Sequence, residues 1–478
     1  MGLKKNFIYS SILTVSTYLL PLLVYPYVSR VLGLTNIGIV NFIDNLVNYF
    51  VAFSMMGITT VGVREIAGAR NEKSQLSETF VSLLSLTGIT TIVAMLILFI
   101  AMQITPTLIP YQDLLYVGQL KLLSNLFLIE WLFTGLEDFR YITIRTILIR
   151  CLYIVSVFLF IRTADDYKLF YVLSCGMAIA NAVINIFYSR RFVTYSLQKI
   201  TIRPYLKPFF IMGVYALLVH VYTSLNAVWL GFVTNTDEVG YFTTATRLYS
   251  IVMALLISFT NILFPYVSNL LAEGKMTEFW QKINSAFGVI FTFAFPTAIF
   301  LFVAGPSLLH LFAGDGFEGA YCPMQIISPL VLIVGMEQIL IIQILMAMHE
   351  DYIVLRNSFI GALIAILLNL FITASLGAIG SAIVWVLSEI CIMVLSIVYI
   401  RRKYHFSPPY RKLLQYAVSY MPLIGVAFLC QYFFDSETVF LVVLFTTTIF
   451  YVAINEIFIM KNSILLNIVS RFKSFQNK

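Results

Sequence analysis

Apolar runs of bilayer-crossing length recur along this whole chain, and they limit its fold more than any other feature. Read with a window of about 20 residues, the helix length that spans a hydrocarbon core, they fall in this order. The first seven are 7–31, 38–62, 77–103, 112–135, 140–161, 167–189 and 208–231. The rest are 238–270, 281–304, 322–347, 352–375, 378–400, 413–433 and 438–460. Lipid offers no water to unpaired backbone groups, so such runs are expected to be helical. The fold class expected is an all-α polytopic membrane protein with about 14 transmembrane helices. Only 11% of residues are charged, where soluble domains carry about 25%. The N-terminal MGLKKN resembles the charged start of a signal peptide. The apolar run behind it exceeds an h-region of about 7–15 residues, and no small-residue cleavage site follows, so it reads as a retained span.

Lysine and arginine orient the helices. One set of connections holds Lys4 and Lys5; Arg64, Arg70 and Lys73; Arg190, Arg191, Lys199, Arg203 and Lys207; Lys275 and Lys282; Arg401, Arg402, Lys403, Arg411 and Lys412. The tail adds Lys461, Arg471, Lys473 and Lys478. The alternate set holds Arg162 and Lys168, and otherwise acids such as Asp237, Glu238, Asp315, Glu318, Asp435 and Glu437. The positive-inside bias puts both termini in the cytoplasm. It also accounts for the net charge of +7 without a nucleic-acid partner.

The longest polar connection, Ser189–Lys207, divides twelve of the spans into halves. The expected organisation is an N-terminal lobe over 1–190, a cytoplasmic linker over 191–207 and a C-terminal lobe over 208–400. Residues 401–478 then supply the last two helices and a tail. In that tail Ile464, Leu465, Ile468, Val469, Phe472 and Phe475 share one helical face, the pattern of an interfacial amphipathic helix. The halves echo each other weakly: VLGLTNIGIVNF (Val31–Phe42) and WLGFVTNTDEVGYF (Trp229–Phe242) both run Leu-Gly, Thr and Asn, then Gly before Phe. Parallel repeats with a site at their interface are a recurring transporter plan.

No enzyme chemistry is readable. Walker A, G-x-S-x-G, H-E-x-x-H and D-x-D patterns are absent. The five cysteines lack metal-type or disulfide-framework spacing and the four histidines are dispersed, so no metal or cofactor is expected. A driving force would come from an ion gradient, H+ or Na+, or from the substrate's own gradient.

Polar residues inside spans are costly and usually face a cavity. Asn41, Asp44, Asn45 and Asn48 share one face of the second span, and Thr243, Arg247, Ser250, Ser258 and Asn261 one face of the eighth. Ser10, Thr14, Thr17, Pro21 and Tyr25 line the first, which Pro21 and Pro26 are expected to bend. Helix packing accounts for many hydroxyls; Asp44 and Arg247 are the stronger functional candidates. Lys121 and Arg150 are deep cations, Arg145 and Arg356 lie where they could snorkel, and Arg30 stands at the outer end of the first span. Such a surplus of cations points to an anionic substrate, and arginine suits phosphate because its planar fork makes paired hydrogen bonds.

The block PYVSRVLG followed by NIG, then GVREIAGAR (Gly62–Arg70) and GYFTTATRL (Gly240–Leu248), resembles the polysaccharide branch of the multidrug/oligosaccharidyl-lipid/polysaccharide exporter superfamily. The likeness extends over essentially the whole chain. It implies a Wzx-type flippase that moves an undecaprenyl-diphosphate-linked oligosaccharide to the outer leaflet of the bacterial cytoplasmic membrane. It further implies two six-helix lobes around a central cavity, two additional C-terminal helices, and contact with membrane lipids and other polysaccharide-assembly membrane proteins. Arg30 and Arg247 match the family's diphosphate-associated cations; Lys121 and Arg150 are added from their depth alone. Asn41, Asn45, Asn48, Thr243 and Ser250 would form the cavity's polar face, and Asp44 would sense a coupling ion. Two alternatives stay open: a drug/cation antiporter of the same superfamily, which would depend on acids, and a polytopic glycan polymerase or ligase, which would carry a large external catalytic loop.

Overall fold

The computed structural model describes residues 3–195, 200–223 and 225–460; the amphipathic tail anticipated beyond Lys461 lies outside them. Every regular element among the described residues is helical. Nine helices there are long and apolar enough to cross a membrane, or ten if the bent pair Glu318–Ile327 and Leu330–Met346 makes one span. The difference from fourteen comes from helices that run on through expected boundaries and spans broken in their middles.

The first unit, Met1–Thr243, opens with α1 (Leu3–Met55), which carries the first expected span and most of the second. Its sharp break is at Gly33 (φ 75°, ψ 172°), beyond the two prolines that were expected to bend it. Positive φ is open to glycine without a side-chain clash, which is why the turn falls there. Next come α2 (Ile58–Ala69), α3 (Lys73–Ile104), α4 (Gln112–Leu126) and α5 (Glu130–Gly135). The fourth expected span is thus two helices, divided at Ile129, whose φ of 36° is unusual for a β-branched residue. Then follow α6 (Phe139–Phe160), α7 (Tyr167–Ser189), α8 (Arg203–Thr223) and α9 (Leu225–Val233).

The two echoing segments pack on each other inside this unit. A Cβ on Gly38 would lie 1.8 Å from the Thr236 carbonyl oxygen, and one on Gly231 would lie 2.1 Å from the Phe42 ring. Small residues at such crossings let backbones approach closely where lipid supplies no hydrophobic drive between helices. Phe42 is fully buried and meets Phe232 edge-on at 5.4 Å. One turn on, Asn41 Nδ2 donates to Thr243 Oγ1 at 2.9 Å.

Helix α10 (Thr236–Ala272) begins in the first unit and continues into the second, Thr244–Lys478. The second unit holds α11 (Met276–Ala313), α12 (Tyr321–Ile327), α13 (Leu330–Glu337), α14 (Asp351–Leu368) and α15 (Ala374–Tyr404). It closes with α16 (Tyr410–Phe433) and α17 (Glu437–Ile454). The eleventh and twelfth expected spans form one continuous helical stretch, reversed in hand at Gly377 (φ 56°). A π-helical stretch, Gln338–Met346, follows α13 directly. Helix α11 packs on both α16 and α17, with Phe295 stacked on Tyr416 and Tyr420. Those two phenols donate to the buried Glu456 carboxylate at 3.2 and 3.3 Å.

In the connection before α14, Glu350 accepts from Tyr399 at 2.7 Å and from Lys403 and Tyr404. Burial pushes this carboxyl up, but the three donors outweigh it and hold the pKa down at about 2 against an ordinary 4.5. A folded value below the unfolded one adds stability that is full above pH 4.5 and is lost as pH falls toward 2. The melting-temperature gap between wild type and Glu350→Gln should therefore be widest near neutrality and close progressively below pH 4.5. At the helix crossing, Gly231→Ala should cost about 1–3 kcal/mol by overpacking against Phe42, and Phe42→Leu in the same chain should restore part of it. Thermal unfolding of detergent-purified protein reads both.

Candidate functional site

The polar face of α1 past Gly33 is built by its register. Val40, Ile43 and Val47 are buried on one side, while Asn41, Asp44, Asn45 and Asn48 lie half-buried or exposed on the other. Helix α4 comes close because Gly118 faces Val47; a Cβ there would lie 2.5 Å from the valine. One turn further, Lys121 Nζ reaches Asp44 Oδ1 at 2.6 Å and Asn48 Oδ1 at 2.8 Å. Asn48 Nδ2 closes the triangle by donating to Asp44 Oδ2 at 2.9 Å. The acid that pairs with Lys121 is thus Asp44, from another helix. Asn45 turns its amide to the Asn41 carbonyl at 2.8 Å, extending the network that ends on Thr243.

Arg150 is half-buried in α6 and donates to Ser16 Oγ and Thr17 Oγ1 of α1, each at 3.0 Å. Among the described residues no carboxylate stands within 4 Å of it, and two neutral hydroxyls solvate its guanidinium. Arg145 does not snorkel as the sequence allowed. It is 5% exposed, paired with Glu130 and hydrogen-bonded to Asn185 and Thr146. The positive φ of Ile129 lies immediately before Glu130, where the chain turns into α5. Arg30 is exposed on α1 and donates to the Pro26 carbonyl at 2.7 Å. Arg247 is half-buried and Ser250 exposed, both on the part of α10 in the second unit; Ser250 donates to the Thr246 carbonyl at 2.8 Å. Asp44, Asn48 and Lys121 are therefore one cluster, Asn41, Asn45 and Thr243 a second, and Arg150 a third with α1.

One centre was missed from sequence. In the second unit Glu337 of α13 and Glu389 of α15 are each 5% exposed and close enough to interact with one another. Trp385 Nε1 donates to Glu389 at 2.9 Å, and its ring meets Tyr249 at 5.1 Å. In the sequence 52 positions separate the two acids, and no periodicity links α13 to α15.

This all-helical fold of long, broken spans is that of the flippases and exporters of one superfamily. The structure of a lipid II flippase, MurJ, in an inward closed conformation aligns with TM-score 0.76 at 15% identity, covering 95% of this chain and 99% of that one. An inward-facing multidrug resistance MATE family transporter of the MOP superfamily aligns with TM-score 0.63 at 14% identity, over 83% of this chain and 98% of that one. Residues 3–271 match the model of the polysaccharide biosynthesis protein family, and the chain belongs to that family. A relative from Escherichia coli (strain K12), named "Putative O-antigen transporter", is 23% identical over 84% of this chain and 97% of its own. A Shigella dysenteriae protein of the same name is 24% identical over 82% and 98%.

The Lys121–Asp44 pair is open to a direct measurement. Its side chains are 15% and 29% exposed, so water screens it only in part. A double-mutant cycle of Lys121→Met and Asp44→Asn, read by thermal unfolding, should give a coupling of about 0.5–3 kcal/mol.

Proposed function

We propose that the protein is a flippase that moves an undecaprenyl-diphosphate-linked oligosaccharide from the cytoplasmic to the outer leaflet for surface polysaccharide synthesis. In this reading both termini are cytoplasmic, as the lysine and arginine bias of the connections suggests, and the substrate crosses without covalent change in an alternating-access cycle. Membership of the polysaccharide biosynthesis family supports the substrate class, as do relatives named for O-antigen transport. The observation that carries the reading is Arg150, a half-buried cation inside a spanning helix with hydroxyl partners and no carboxylate within 4 Å among the described residues. An uncompensated charge at that position costs free energy, and a diphosphate arriving from the headgroup region would offset it.

In this reading Arg30, Arg150 and Arg247 each meet the diphosphate at a different stage of its passage, through charge-assisted, paired hydrogen bonds. Lys121 joins them when the anion displaces Asp44. Asp44, released from Lys121, is the candidate for sensing a coupling ion; the Glu337–Glu389 pair is a second place for a coupling proton or Na+. Asn41, Asn45, Asn48, Thr243 and Ser250 offer donors and acceptors to sugar hydroxyls. A cationic drug would be repelled by this set of charges, which weighs against the antiporter alternative.

Purified protein in vesicles loaded with fluorescent lipid-linked oligosaccharide should carry the label across the bilayer and leave its chain length unaltered. A new glycosidic linkage would identify a polymerase or ligase instead. In cells, Arg30→Ala and Arg247→Ala should each lower glycan export at least about tenfold, the effect of removing one charged hydrogen bond. Normal export by both, at normal protein levels, would defeat the diphosphate clamp.

A further inference from the structure

The face of α6 turned away from α1 carries a different feature. Arg150 and Thr143 bind α1, whereas Tyr141, Ile144, Arg145 and Leu148 lie on roughly the opposite side at helical spacing. Between that side and α7 runs an open groove of about 510 Å³. Its floor is apolar: Ile144, Leu148 and Ile184 are all exposed. The exposed stripe continues along α6 through Leu152, Val155 and Leu159. The wall is aromatic, with Tyr141 and Tyr188 stacked at 3.6 Å.

The mouth is cationic. Arg145 lies over the Tyr141 ring at 5.6 Å and Arg191 over the Tyr188 ring at 5.0 Å, so the two tyrosines are flanked by guanidinium groups. Arg140 is exposed, and no carboxylate lies within 4 Å of it among the described residues. The acid lining the groove, Asp138, already accepts from the Tyr188 hydroxyl at 2.7 Å and from the Tyr141 amide at 3.3 Å, and Glu130 beside it pairs with Arg145. Arg145 is 5% exposed, and its Nε is buried without a hydrogen-bond partner although its other nitrogens are engaged. The ends of α6 and α7 that form this mouth adjoin Arg190 and Arg191, the basic side of the bundle.

A cation cluster at headgroup level above an apolar floor fits one molecule: an amphiphile with an anionic head. We propose that this groove is a binding site for an anionic phospholipid of the surrounding leaflet, its phosphate among Arg140, Arg145 and Arg191 and an acyl chain along Ile144 and Leu148. The site lies on the opposite side of α6 from the Arg150 contacts with α1. It is therefore a resident-lipid site and not part of the diphosphate clamp, and it holds whichever glycan the protein moves.

Native mass spectrometry of the full-length protein tests this with phosphatidylglycerol and phosphatidylcholine of identical chains. Wild type should retain phosphatidylglycerol preferentially. Arg140→Gln, an exposed change that spares folding, should lower that retention about fivefold, the value of one arginine near an anionic surface. Leu148→Trp should lower retention of both lipids by filling the floor. Equal retention of the two lipids by wild type would reduce the groove to an apolar surface and overturn the proposal. Unchanged phosphatidylglycerol retention in both variants would overturn it too. Preferential displacement of phosphatidylglycerol by undecaprenyl diphosphate would reassign the groove to the transported lipid.

Discussion

Hydrocarbon gives a polar group nothing to bond with, and the arrangement of this chain follows from where each costly group finds its partner. Asp44 and Lys121 satisfy each other across α1 and α4. Arg145 and Glu130 do so across α5 and α6. Glu337 and Glu389 face each other across α13 and α15, and Trp385 Nε1 donates to Glu389. Each pairing ties helices that propensity alone would leave free to slide, because shifting either by one residue would strand a charge. Arg150 differs: its hydrogen-bond partners are the hydroxyls of Ser16 and Thr17, and among the described residues no carboxylate lies within 4 Å of it.

Those pairings need helices at close range, and glycine supplies it. Gly118 admits Val47 and so sets Lys121 beside Asp44. Gly38 and Gly231 let the two echoing segments interlock, with Asn41 and Thr243 bonded at the edge of the contact. The faint sequence repeat therefore has a physical basis. Both copies end a helix beside the other, and the glycine each retains is the residue the crossing requires.

The helical, polytopic character was legible because hydropathy acts over about 20 residues at a time and no single position can hide it. The breaks were less so. A proline announces a bend, yet α1 turns at Gly33, where a positive φ is accessible and nothing within 4 Å opposes a side chain. The deep cations were visible as residues but not as pairs. A helical register predicts neighbours three or four positions apart, while Lys121 and Asp44 lie 77 apart and meet through tertiary packing. Arg145 was read from depth as a snorkelling residue, but depth does not report that Glu130, Asn185 and Thr146 enclose it. The Asn stripe of α1 was legible as a face, since 3.6-residue periodicity is all that a face requires.

The difference between paired and unpaired cations also bears on how an anion could be released as well as captured. A site made only of uncompensated arginines would bind diphosphate tightly and hold it, because the charges have no alternative partner. Lys121 has one. Were an anion bound there to leave, Asp44 and Asn48 would re-form their contacts with the ammonium at 2.6 and 2.8 Å, so departure would be offset by an internal ion pair rather than by water. A ligand shifts an equilibrium only by its differential affinity for the two states. An acid that competes for the same cation is a direct way to keep that difference small enough for turnover. Arg150, held by hydroxyls, would supply affinity, and the Asp44–Lys121 pair would supply reversibility.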